Sequence, residues 1–223
     1  NGFKMLLCNS ANGPELDRSY IDMLRRNMVD GVIVNSLNIG AEAYAEMGLS
    51  LVGIDCDLGE ASVQIASDSY SIGELATRRL IDDGCSRILC LRSNSRMRMP
   101  ANKRTDAYLD VVEQAGLPAL VREVEFVKPD DEKSAVVAKI LDENPDIDGI
   151  FAGDDTMAAI CLNVMKQRGL SAPGDIKVVG ADGARRTMTF MPDLTTVRQD
   201  IDRIGELAAQ SNIALVNGDN PES

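Results

Sequence analysis

Short apolar runs punctuate the chain at residues 4–9, 31–35, 51–54, 63–66, 87–91, 124–127, 149–152, 177–180 and 195–198, each the length of a strand. They are interleaved too regularly with longer segments for an all-β fold. In those longer segments apolar positions return every third or fourth residue, the repeat of a helix with one buried face. Residues 69–83 carry it well: Ile72, Leu75, Ala76, Arg79 and Leu80 recur at that spacing, and Gly84 stands where a helix stops. Residues 101–115, 132–143, 154–168 and 200–217 behave likewise. Strand, helix and strand in alternation predict an α/β fold of parallel sheets with right-handed crossovers. No internal repeat or low-complexity linker marks a boundary along it.

The 223 residues suffice to bury a sizeable core and fall between one large domain and two lobes of roughly 100 residues each. Hydrophobic residues at 44%, with few aromatics and no Trp, indicate an aliphatic core. No apolar run reaches the roughly 18 residues of a membrane span, and no basic-then-apolar leader is visible, so no membrane segment is expected. Cys8, Cys56, Cys85, Cys90 and Cys161 form an odd set without a C-x-x-C pair, which favours reduced, structural thiols in a cytoplasm.

Charge narrows the partners. With 35 acidic and 23 basic residues the net charge is −12, which argues against a Lys/Arg surface able to displace phosphate counterions. Any DNA contact is therefore expected from a segment outside this chain. Catalysis is poorly supported: without a histidine, Ser-His-Asp and Cys-His sites and a His-ligated zinc are excluded. The phosphate-loop, dinucleotide and nucleophile-elbow glycine motifs are absent. Asp154 and Asp155 are adjacent, but no further carboxylate lies at a metal-ligand spacing, so neither a metal nor another cofactor is expected.

The most informative stretch is Gly169 to Gly205. A glycine-flanked apolar strand there ends in Asp182, which places a carboxylate at a sheet's carboxyl edge, where open α/β sheets bind ligands. Pro173 with Asp175 to Asp182, followed by Pro192 to Gln199, resembles the Pro-x-Asp-(Ile/Val)-x-Val-Val-Gly-x-Asp and Pro-x-Leu-Thr-Thr-Val-x-Gln motifs of the effector-binding domain of the LacI/GalR family of bacterial transcription regulators. Val29 to Val34 is similar to the family's strand entry VDGIIV, and Asp68, Gly73, Leu80, Ile81 and Gly84 to its first long helix, with Cys85 in place of a histidine. Arg104 to Tyr108 and Gly149 to Ala158 resemble two further motifs, with Ala107 where a glycine is usual. Each match is weak alone; their order and spacing over residues 3–215 are specific.

The resemblance implies a two-lobed periplasmic-binding-protein-like fold, each lobe a parallel sheet flanked by helices. Residues 1–83 and 200–223 would form the N-terminal lobe, residues 84–199 the C-terminal lobe, and a small-molecule effector would sit in the cleft between them. It further implies a homodimer that reads operator DNA through an N-terminal head. That head, a first strand and helix, and a final strand after Val216 are lacking here, so the chain looks like a fragment of a regulator.

The ligand-binding positions implied by the resemblance are Asp55, Asp68, Arg98, Arg104, Lys128, Asp155, Asp182 and Gln199. Arg104 offers a planar fork of donors for hydroxyls or a carboxylate, whereas an exposed helix-start arginine is the plainer reading. Either Asp154 or Asp155 can cap the helix that follows, and the resemblance makes Asp155 the acceptor of ligand hydroxyls, facing Arg104 across the effector. Arg98, Arg104 and Lys128 converging on one cleft would favour an anionic effector, although a solvated loop lysine is the ordinary reading of Lys128. Ala181 stands where Phe or Tyr is usual, and Cys56 follows Asp55 where the family has arginine. Two non-enzymatic classes result: the ligand-sensing domain of a cytoplasmic regulator, favoured by the Leu-Thr-Thr-Val-x-Gln motif and the thiols, and alternatively a periplasmic sugar-binding protein of a transport system.

Overall fold

The computed structural model describes residues 2–10, 14–24, 26, 29–36, 50–56, 58–59, 62–93, 100–125 and 128–219. In chain order its elements are α1 (Pro14–Leu24), β1 (Gly31–Val34), β2 (Ser50–Ile54), β3 (Val63–Ile65), α2 (Ser69–Asp82), β4 (Ile88–Arg92), α3 (Lys103–Gln114), β5 (Leu120–Glu123), α4 (Asp130–Glu143), β6 (Gly149–Ala152), α5 (Asp155–Gln167), β7 (Lys177–Asp182), α6 (Arg185–Phe190), β8 (Thr195–Arg198) and α7 (Ile201–Val216). They form two compact units, residues 1–66 with 202–223, and residues 67–201.

In the first unit β1, β2 and β3 pair in parallel in that order. Ile21, Val34, Leu51, Cys56 and Leu58 make its core. α7 returns from the far end of the chain and stitches the sheet: Asn212 Nδ2 donates to the carbonyls of Val32 and Ser50, at 3.1 Å each. Gly31 permits that approach, since a Cβ there would lie 2.5 Å from Asn212 Oδ1. The strand expected over residues 4–9 is not formed. A strand exists through ladder hydrogen bonds, and this segment has no pairing partner among the described residues; Met5 and Leu7 are 90% and 84% exposed.

The second unit is a five-stranded parallel sheet, ordered β5-β4-β6-β7-β8. Helices cover both faces, so the strands read as continuous apolar runs, and successive residues feed opposite cores. Leu89, Leu91, Ile150, Ala152 and Val178 pack with Val137, Ile140, Ile160 and Val164 of α4 and α5. Ile88, Cys90, Phe151, Val179 and Ala181 pack with Ile72, Ala76, Leu80, Tyr108 and Val112 of α2 and α3. Helix ends are set by glycine: Gly84, Gly116 and Gly169 all have positive φ, and the residue after each donates back to a carbonyl of the last turn, as Cys85 does to Leu80 at 3.0 Å.

Three expectations change. The lobe boundary was placed after Asp83, but α2 has its packing partners, α3, β6, β7 and β8, in the second unit, which begins at Ser67. At the other end the second unit runs to Ile201 rather than Gln199. Of the strand expected over residues 124–127, residues 126–127 lie outside the described residues, and residues 124–125 follow a strand, β5, that lies just before them. Buried Tyr108 decides it, accepting from the Leu120 N–H at 2.8 Å and donating to the Ile88 carbonyl at 2.7 Å, which pins Leu120 beside β4. α1 and α6 were not anticipated; α6 is too short for its periodicity to register.

Candidate functional site

The carboxyl ends of β6, β7 and β8 and the start of α3 bring a buried cation, three aspartates and an amide together. Arg104 lies in the first turn of α3 and is 8% exposed, so its guanidinium is not the surface charge an arginine near a helix start ordinarily is. Its Nη1 donates to the Gly153 carbonyl, which follows β6, and its Nη2 reaches Asp182 Oδ1 at 3.3 Å. Its Nε is buried with no hydrogen-bond partner among the described residues.

Asp182 ends β7 with φ 126°, a conformation that costs a non-glycine residue energy and is kept only where its surroundings impose it. The Gln199 N–H holds its carbonyl at 2.9 Å, and Gln199 Nε2 donates to Asp182 Oδ1. Gln199 in turn accepts at Oε1 from the Ser67 hydroxyl, 2.8 Å away. Both hydrogen bonds to the Asp182 carboxylate therefore fall on Oδ1; Oδ2 has no donor among the described residues.

One of the adjacent aspartates caps the helix that follows, as expected of one of the pair. Asp154 caps α5, taking the Met157 N–H at 2.7 Å on Oδ1, but is only half-buried. Asp155 is 4% exposed and turned inward: Oδ2 accepts from the Gly183 N–H at 2.9 Å and Oδ1 from the Thr196 hydroxyl at 2.6 Å. It braces the turn after β7 to β8, and Gly180 makes room for it, since a Cβ there would lie 2.6 Å from Asp155 Oδ1. Arg104 makes its ion pair with Asp182, on the neighbouring strand end.

The other expected positions that are described lie after β2, at the start of α2 and just before α4. Asp68 caps α2, accepting from the Ser71 N–H at 3.0 Å and the Ser71 hydroxyl at 2.7 Å, bonds that hold its carboxyl below the usual range. Lys128 ion-pairs with Glu132 at 3.6 Å on the first turn of α4. Asp55 follows β2 in the first unit with φ 51°, its N–H donating to the Ile65 carbonyl. Arg98 lies outside the described residues. Of the described cations expected to converge, Arg104 is tied into this cluster, and its charge faces a carboxylate. Asp154 and Ser67 were not assigned to the site from sequence. The Asp-Asp pair was the available signal for the first, and an isolated serine carries none.

Burial pushes Asp182 up to about 6; the Arg104 guanidinium opposes the rise, and the carboxylates of Asp154 and Asp155 add to it. Asp155 is also raised, chiefly by burial, against the pull of Thr196 and Gly183. A carboxyl whose folded pKa lies above its ordinary 3.8 contributes stability that is present below that value and lost as pH rises through about 6. Asp182→Asn removes that loss. Its stability relative to the parent is expected to improve by about 1 kcal/mol between pH 4 and pH 7, a figure reduced for the third of the side chain left to solvent. Urea unfolding of both proteins across this range checks it, and a constant difference would refute the assignment.

A buried guanidinium, carboxylates and a fixed amide stand here at the carboxyl ends of a parallel sheet, the edge at which open α/β sheets bind small molecules. Residues 77–223 match the family described as periplasmic binding protein-like domain. The chain is 34% identical over 205 residues to the sucrose operon repressor of Pediococcus pentosaceus, which covers 92% of the chain and 63% of the repressor. It is 31% identical over 209 residues to the ribose operon repressor of Halalkalibacterium halodurans, covering 94% of the chain and 62% of that protein. Among solved structures, a LacI family transcriptional regulator from Arthrobacter sp. FB24 in complex with lactose superposes with a TM-score of 0.80 at 25% identity, over 92% of this chain and 75% of that one. The chain belongs to the LacI family, in its periplasmic-binding-protein-like domain, and spans somewhat under two thirds of these two repressors. No helix among the described residues is long and apolar enough to cross a membrane.

Proposed function

We propose that this chain is the non-catalytic, ligand-sensing part of a cytoplasmic DNA-binding transcriptional regulator, and that it takes a neutral, polyhydroxylated ligand, a sugar, at the carboxyl edge of its five-stranded sheet. The observation that carries the reading is the Arg104, Asp182 and Gln199 cluster: a fork of buried donors beside a carboxylate with one oxygen uncommitted, the pairing that a ligand whose hydroxyls both donate and accept requires. The charge balance argues for a neutral ligand. Arg104 already faces Asp182, and Asp154 and Asp155 add negative charge, so a phosphate would meet repulsion.

The named relatives are repressors of sugar operons, which supports a regulator over the alternative of a transport protein. Operator binding would come from a segment outside this chain, in a homodimer whose two-fold symmetry matches two half-sites. The two places where the chain passes between units, Ala66 to Ser67 and Ile201 to Asp202, are the covalent routes by which occupancy would be felt beyond the sheet.

Calorimetric titration with sucrose, lactose, ribose and glucose 6-phosphate is expected to find binding of a neutral sugar and none of the phosphate. Gel-shift titration of this chain at low salt is expected to find no salt-dependent DNA affinity. Binding of the sugar phosphate alone, or micromolar salt-sensitive DNA binding, would overturn the reading.

A further inference from the structure

Ser67 is the first residue of the second unit, and Gln199 lies just before the chain leaves that unit at Ile201. The two meet through one hydrogen bond, from the Ser67 hydroxyl to Gln199 Oε1 at 2.8 Å. The Asp182 carboxylate only accepts, so the NH2 end of the amide faces its Oδ1, the oxygen that Arg104 Nη2 also reaches. The Ser67 hydroxyl gives its proton to the opposite end, Oε1, and so anchors the amide in that pose. With the amide turned over, Oε1 would stand against Oδ1, two acceptors without a proton between them. The backbone holds the pair in register meanwhile, the Gln199 N–H donating to the Asp182 carbonyl.

We infer that Ser67 is a positioning residue for the binding site: by orienting the Gln199 amide it commits two donors to one oxygen of Asp182, keeps that carboxyl an acceptor, and leaves Oδ2 as the oxygen offered to ligand hydroxyls. The inference deepens the proposed function and rests on it for the ligand; the hydrogen-bond chain does not depend on it. The groups acting on Asp182 are Arg104, which favours its charged form, and Asp154 and Asp155, which disfavour it. In that balance the loss of one donor has a readable effect. It also ties the ligand-facing carboxylate to both segments that join the units, so that Ser67 and Gln199 act as one latch beside the chain crossings.

Asp182 is titrated by carbon-13 NMR of its side-chain carboxyl, without ligand, in the parent chain, in Ser67→Ala and in Ser67→Thr. The Ala variant is expected to raise the Asp182 midpoint by about one pH unit, since a donor to the charged form is lost. The Thr variant, which keeps the hydroxyl, is expected to restore the parent value. A merely structural serine would not produce this pair of results. An unchanged midpoint in Ser67→Ala, or a Thr variant that titrates like the Ala variant, overturns the inference. Sucrose, lactose and ribose titrations of the parent are run separately: failure to bind any of the three removes the proposed sugar reading and leaves the titration result standing, whereas an unchanged midpoint removes the latch whatever the sugars do.

Discussion

Arg104→Ala is expected to weaken sugar binding by about 30- to 150-fold, the equivalent of about 2–3 kcal/mol. The side chain holds two partners at once, the Gly153 carbonyl and Asp182, from a position 8% exposed. Truncation leaves the Gly153 carbonyl without this donor, leaves Gln199 as the donor to Asp182, and removes the positive charge that opposes the carboxylates of Asp154, Asp155 and Asp182. Arg104→Lys is expected to recover little, because a single ammonium cannot reproduce a planar fork that bonds two acceptors and still turns Nε inward. Calorimetry with the sugar that the parent binds measures the loss. Parent-like affinity in both variants would mean that the ligand lies elsewhere.

Gly73→Ala is expected to lower stability by about 2–3 kcal/mol, at the upper end for overpacking, and to weaken sugar binding as well. α2 and α3 touch at this residue: a Cβ on Gly73 would lie 2.2 Å from the Arg104 carbonyl oxygen and 2.7 Å from the Arg104 Cα. Those are backbone atoms of α3, so no side chain can swing aside, and the helix must move and carry the guanidinium with it. Urea unfolding gives the stability change, and titration of the folded fraction gives the change in affinity. A variant as stable as the parent would show that α2 and α3 separate freely at this crossing. A destabilised variant with unaltered affinity would separate the packing role of Gly73 from any hold on Arg104.

Much of the site was legible because its signals are local. The run Val178-Val179-Gly180-Ala181-Asp182 had to be a buried strand ending in a carboxylate, and it is β7. The partners of Asp155 were not legible: either aspartate could cap the helix, Asp154 does, and Asp155 takes its donors from Gly183 and Thr196, far along the chain. Lys128 and Asp68 are held locally. Each has a partner within four residues, Glu132 and Ser71, and such local bonds compete with any remote ligand.

By itself the amino-acid order determined the α/β class, the positions of most strands and helices, the family, and the presence of Arg104, Asp182 and Gln199 among the residues that matter. These rest on periodicity, on glycine stops and on motif spacing, which are properties of neighbours in the chain. Tertiary structure decided the rest: that α2 belongs with the second unit, that β5 starts at Leu120 under the hydroxyl of Tyr108, that Asp155 braces and Asp182 pairs, and that Ser67 reaches Gln199. The physical reason is that a polar group is committed by whichever partner burial brings within about 3 Å, and across a parallel sheet that partner lies far away in the chain.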